Sequence, residues 1–148
     1  MFSTAVSHPN GMVLSHDKRT LYVARIFHSI RPVVFDNTVW AIRLNDDGTP
    51  RRVEAKVVFR TGPDDTTDGM AIDVEGRLYV SSPRTGKIWR YDPESEETIL
   101  IADGMPGVAG LTFGRRAFDP TSIYAVALYS GGLGGKVYRI PVGVEGRN

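Results

Sequence analysis

The chain contains no cysteine, which excludes disulfides, thiolate zinc sites and a cysteine nucleophile. It also lacks a dominant charge. Its 18 Lys+Arg and 17 Asp+Glu leave a formal net charge of +1, with no basic stripe or acidic tail, so neither nucleic acid nor an anionic membrane is implied as a partner. Long hydrophobic runs are missing too: apolar stretches such as Ile99–Ala102 have strand length and are far too short to span a bilayer. The N-terminal stretch MFSTAVSHPNG has no charged region and no long apolar core, so no signal peptide is read there and a cytoplasmic location is expected. No window keeps an apolar face at helical period for the length of an ordinary helix.

What the chain does have is punctuation. Its 16 glycines and 9 prolines separate short β-rich runs, the texture of an all-β protein. At 148 residues, with 41% hydrophobic and 24% charged, it has the size and composition of one folded domain.

Three segments align on one pattern: a residue followed by Gly and an apolar strand, a turn, an apolar-Tyr-apolar strand, a loop, then an apolar-aromatic strand. The first strands begin at Asn10-Gly11-Met12, Asp68-Gly69-Met70 and Ala109-Gly110-Leu111. The second strands are Thr20–Ala24, Arg77–Ser81 and Ser122–Val126. In the third strands Trp40, Trp89 and Tyr138 follow one another at intervals of 49 residues, and their periodicity marks them as inter-blade packing rather than ligand stackers. Turn chemistry lies between first and second strands at His16-Asp17-Lys18, Val74-Glu75-Gly76 and Asp119-Pro120-Thr121. A fourth, outer strand follows at Arg52–Phe59 and at Thr98–Ala102.

Repeats of this length with four short strands each are the mark of propeller blades. A β-sandwich also has many short strands, but it does not repeat one glycine-and-aromatic pattern three times. The expected fold is therefore all-β, three blades of four-stranded antiparallel sheet amounting to half of a six-bladed β-propeller. Blade one covers about 7–60, blade two about 61–103 and blade three about 104–148, where only three strands are clear. A short N-terminal strand, 1–6, is free to pair with another blade. Three blades cannot close a ring, so completion by a second copy about a twofold axis, a homodimer, is expected.

Pro9-Asn10-Gly11, the block Asp68–Val80 and the closing run Lys136–Gly146 resemble the gluconolactonase/regucalcin (senescence marker protein) family, matching the C-terminal half of a full-length member. The resemblance implies a six-bladed propeller that binds one divalent cation, most often calcium, with zinc, magnesium or manganese as alternatives, at the top of its channel. It also implies that Asn10 and Asp68 match two metal ligands, and that Asp68 is the candidate general base in opening a lactone ring by metal-activated water. The family's glutamate ligand and its substrate-contacting arginine and asparagine have no counterpart in the sequence.

The residues themselves allow a similar chemistry. Asn10 and Asp68 occupy one repeat position, which directs an amide oxygen and a carboxylate to one end of the channel, donors suited to a hard cation. Asn-Gly and Asp-Gly are equally ordinary turn dipeptides whose side chains cap the backbone. His8, Asp65 and Thr67 are weaker substrate-pocket candidates, set against a surface loop for His8 and a solvated turn for Asp64–Thr67. The segment Arg25–Asn37 reads as a long loop that shapes a pocket or meets a partner. Gly131–Gly135 precedes no helix and reads as a hairpin connection rather than a phosphate loop. Ser81, Ser82 and Ser130 lack any nucleophile-elbow context. Two functions remain open: a divalent-metal-dependent lactonase-like hydrolase whose site a partner chain completes, or a non-catalytic half-propeller scaffold with a degenerate metal site.

Overall fold

Short β-branched and aromatic runs bounded by Gly, Asp and Pro turns pair with their sequence neighbours, and the result is local antiparallel sheet. The computed structural model describes residues 2–128 and 134–147, with residues 52–54 described by backbone alone. The glycine run 131–133 and Ser130 lie outside the described residues. Blade one is the sheet β1 (Pro9–Leu14), β2 (Thr20–Ile30), β3 (Val33–Leu44) and β4 (Pro50–Arg60), paired in that order. Blade two is β5 (Met70–Ile72), β6 (Leu78–Ser82), β7 (Lys87–Tyr91) and β8 (Thr98–Ala102), again in order. Blade three holds β9 (Val108–Phe113), β10 (Ser122–Ala127) and β11 (Lys136–Pro141), three strands among the described residues.

Burial follows position within the blade. All five residues of β6 are buried, because sheets cover both of its faces: Leu78, Tyr79 and Val80 pack against apolar neighbours, and the hydroxyls of Ser81 and Ser82 accept the amides of Gly69 and Thr66. The outer strand β8 alternates between exposed and half-buried residues, as a strand with one wet face should. Register shifts fall at the same repeat position in two blades, between Val39 and Trp40 and between Ile88 and Trp89, where a bulge adds local twist.

The blades pack face to face through apolar clusters. Ala24, Val39 and Phe59 of blade one meet Met70, Leu78, Val80 and Tyr91 of blade two, with Trp89 at the edge. Ile88 and Met105 meet Val108 and Ala125, with Tyr138 at the edge. Trp89 and Tyr138 thus lie between blades, while Trp40 packs with Val23, Ile42 and Leu44 on the flank of blade one turned away from blade two.

Close approach of the innermost strands explains the repeated glycine. A Cβ on Gly11 would sit 2.2 Å from the carbonyl oxygen of Asp68, and one on Gly69 would sit 2.1 Å from that of Ala109. The tail returns beneath the blades: Gly146 bridges Asp73, and the amide of Arg147 donates to the carbonyl of Ile72 at 3.0 Å.

Two sequence expectations differ from the structure. The segment 25–37 is not a loop but the paired end of β2 and β3, with Phe27 opposite Phe35 and Ile30 opposite Val33. Its aromatic and β-branched residues favour pairing, and the turn is confined to Arg31 and Pro32 at the tip. Residues 2–6 belong to no strand; Val6 instead packs against the free flank of blade one.

Candidate functional site

The innermost strands β1, β5 and β9 lie side by side, with Gly11 against the carbonyl of Asp68 and Gly69 against that of Ala109, so the backbones of Asn10, Asp68 and Ala109 stand at one end of the blade arc, called the mouth below. The amide of Gly11 donates to the carbonyl of Asp68 at 2.9 Å, and the amide of Asp68 donates to the carbonyl of Ser81 at 3.0 Å. The backbone at the mouth is therefore fixed from both sides. Asn10 is exposed and Asp68 half-buried. Burial pushes the Asp68 carboxyl above its ordinary value of 3.8, because the charged form loses hydration there.

The weaker candidates occupy different settings. His8 is half-buried with φ 51, and its buried Nδ1 has no hydrogen-bond partner among the described residues. Asp65, Thr66 and Thr67 are buried rather than solvated. Asp65 accepts hydrogen bonds from the Gly62 amide at 2.7 Å and from Trp89 Nε1 at 2.6 Å, and also from the Thr85 hydroxyl. Thr67 Oγ1 donates to the carbonyls of Arg25 at 2.9 Å and Thr38 at 3.0 Å, which fastens the segment before Asp68 to blade one. Asp64 is exposed. Buried Ser81 donates to the Ala109 carbonyl at 2.6 Å, a link between blades two and three.

Sequence reading did not single out the ion pair at the root of the β2–β3 arm. Arg25 Nε donates to Asp36 Oδ2 at 3.0 Å, and the guanidinium lies 5.1 Å from the Trp40 ring centre. Burial raises the Asp36 pKa, but hydrogen bonds from Thr38 and Arg25 outweigh it and hold the carboxyl below its usual range. The arm rises from the mouth end, since Pro9 of β1 pairs with Arg25 and β2 runs on to Ile30. Phe35 of the arm lies 5.2 Å beneath the Arg84 guanidinium of blade two.

The donor set agrees with a hard cation in kind, one carboxylate and one amide oxygen, and falls short in number, since calcium takes about six to eight oxygens. Among the described residues no three of His, Asp or Glu gather into a metal-binding group. Asp68, half-buried and in no ion pair among the described residues, is the feature that would welcome positive charge.

Comparison with known proteins accords with this geometry. Residues 1–120 match the family described as SMP-30/Gluconolactonase/LRE-like region. A gluconolactonase of Zymomonas mobilis is 31% identical over 123 residues, covering 78% of this chain and 32% of the relative. The structure resembles a luciferin-regenerating enzyme with a TM-score of 0.73 at 18% identity, covering 99% of this chain and 49% of the other. It also resembles a calcium-binding protein, regucalcin, from Agrobacterium tumefaciens, with a TM-score of 0.67 at 21% identity, covering 96% and 48%. The chain thus spans between a third and a half of the length of these relatives, and its three sheets correspond to blades of their β-propellers. The glycine-stapled blades, the shared mouth and the match over most of its length place the chain in the SMP-30/gluconolactonase/LRE-like family.

Proposed function

We propose that the chain forms the Asp68 side of a divalent-cation-dependent lactonase-like hydrolase, with calcium as the preferred ion and a partner chain supplying the rest of the ring. The observation that carries this reading is the Asp68 carboxyl, half-buried at the mouth and raised by burial, in a family with a gluconolactonase relative. Asn10 and Asp68 would hold the cation, which would polarise the lactone carbonyl and acidify a nearby water. Asp68 accepts the proton as the water oxygen bonds to the carbonyl carbon. The ring C–O bond then breaks, and the proton passes to the departing alkoxide to give a hydroxy acid. The β2–β3 arm, with Phe27 and Phe35 at 5.5 Å from one another, forms a wall beside the substrate.

The test is hydrolysis of aldonolactones with calcium, zinc, magnesium or manganese, comparing the wild type with Asp68→Ala. Cation-dependent turnover that chelator and the substitution both abolish supports the proposal; turnover indifferent to both sinks it. A non-catalytic scaffold is the second reading, favoured by the small ligand set at the mouth. No hydrolysis, together with no cation-dependent rise in melting temperature, decides for the scaffold.

A further inference from the structure

Equivalent positions in the three blades have very different exposure. Val39 and Ile88, each one residue before the repeat tryptophan, are 0% exposed against the next blade, while Val137 at the same position of blade three is 73% exposed. Ala24 and Ser81 are 0% exposed, whereas their equivalent Val126 is 45% exposed. On the opposite flank, Met70 is 7% exposed beneath blade one, and its equivalent Met12 is 61% exposed. The arc therefore ends in two apolar faces, each built like one side of an interface that the chain already forms twice.

The glycines mark the same continuation. A Cβ on Gly11 or Gly69 would collide with the carbonyl of the next blade, but among the described residues a Cβ on Gly110 would meet Val126 Cγ2 alone, at 3.2 Å, the end of an exposed side chain. Gly110 carries no positive φ, so nothing among the described residues demands glycine there. Residues 2–6 cover the Met12 flank without filling it. An apolar cavity of about 400 Å³ remains, lined by Phe2, Val6, Pro9, Met12 and Leu21 among others.

We infer that the Val126–Val137 flank of blade three docks on the Met12 flank of a second copy, with Gly110 lying against the Asn10 carbonyl of the partner subunit. A second copy is the occupant because the two faces are complementary halves of one repeated contact, and two such contacts about a twofold axis close six blades without a remainder. Docking displaces residues 2–6 from the Met12 flank and leaves them beside the unpaired edge of β11 in the partner. The inference rests on the reading of the mouth as half of a channel site, and it brings two copies of Asp68 and Asn10 to one ring.

Light scattering coupled to size exclusion tests it on the chain as it stands, beside lactone hydrolysis on the same samples. The expected wild-type mass is twice the 16.3 kDa of the chain. Gly110→Ala and Val137→Glu are each expected to halve that mass while keeping the β-sheet circular dichroism. Should Gly110→Ala fail to fold, Val137→Glu decides. A monomeric wild type overturns the inference, as does a dimer that survives every folded variant. Monomers that hydrolyse lactones sink the docking and keep the lactonase; a dimer of the expected sensitivity that leaves lactones intact sinks the lactonase alone.

Discussion

The amide of Gly11 and the carbonyl of Asp68 are joined by a 2.9 Å hydrogen bond, so the edge of one blade holds the backbone of the candidate base in the next. A methyl group at residue 11 would stand 2.2 Å from that carbonyl and could be accommodated only by separating the blades. Gly11→Ala is expected to cost about 1–3 kcal/mol in urea unfolding, the usual range for overpacking. Any lactone hydrolysis should fall more than the loss of folded protein explains, because Asp68 shifts with its backbone. A Gly11→Ala protein as stable as the wild type would remove the close-approach account of the repeat.

Asp68 itself should show a trade between stability and activity. Burial raises its pKa, so the folded chain holds the proton more tightly than the unfolded chain does. The stability this contributes is present below the unfolded value near 3.8 and is lost as pH rises through the raised folded value. At neutral pH the charged carboxylate opposes folding. Without added cation, Asp68→Asn should melt roughly 2–4 °C higher than the wild type, and its lactone turnover should drop about 100-fold or more. Wild-type turnover should climb with pH through the raised pKa, since the base must be ionised. A less stable Asp68→Asn protein at neutral pH would contradict the burial argument.

The repeat was legible because each blade solves the same packing problem with the same residues. Glycine permits the close approach, apolar pairs face the neighbouring blades, and Trp89 and Tyr138 fill the gap between sheets. The arm at 25–37 was not legible, because Pro32 and the polar residues around it read as a loop, while the pairing of Phe27 with Phe35 depends on register. Asp65 misled for a different reason. Its partners Thr85 and Trp89 lie 20 and 24 residues away, so nothing local distinguishes a buried structural carboxylate from a solvated one. Asn10 and Asp68 share a repeat position that the sequence shows, but that Asp68 has no ion-pair partner among the described residues emerged only from the folded chain.

Asp65 provides a control for the mouth. Its carboxylate receives the Gly62 amide, the Trp89 indole and the Thr85 hydroxyl, and it is buried. Asp65→Ala strands these donors in the interior, at a cost of about 3 kcal/mol. Calorimetry should report that destabilisation, while calcium titration of the folded variant should give wild-type affinity. A selective loss of calcium binding with stability preserved would return Asp65 to the site.

Beneath the blades, Tyr79 provides a test of the packing that supports Asp68 from the far end of β5. Its hydroxyl donates to Asp73 Oδ2 at 3.2 Å, and Asp73 also receives Arg77 Nε at 2.7 Å. Burial first, and then the negative charge of Asp73, push the phenol up to about 12. Burial raises Tyr22 and Tyr91 as well, but Tyr79, pushed furthest of these three, should ionise after both in a phenolate absorbance titration. The folded pKa lies above the unfolded value of 10.0, so its stabilising contribution is whole below pH 10 and disappears as pH rises towards 12. Tyr79→Phe should delete a phenolate step near pH 12 and flatten the loss of stability across that window. A titration in which Tyr79→Phe removes an early step instead would show that the phenol is open to water and that the blades meet less tightly at this end.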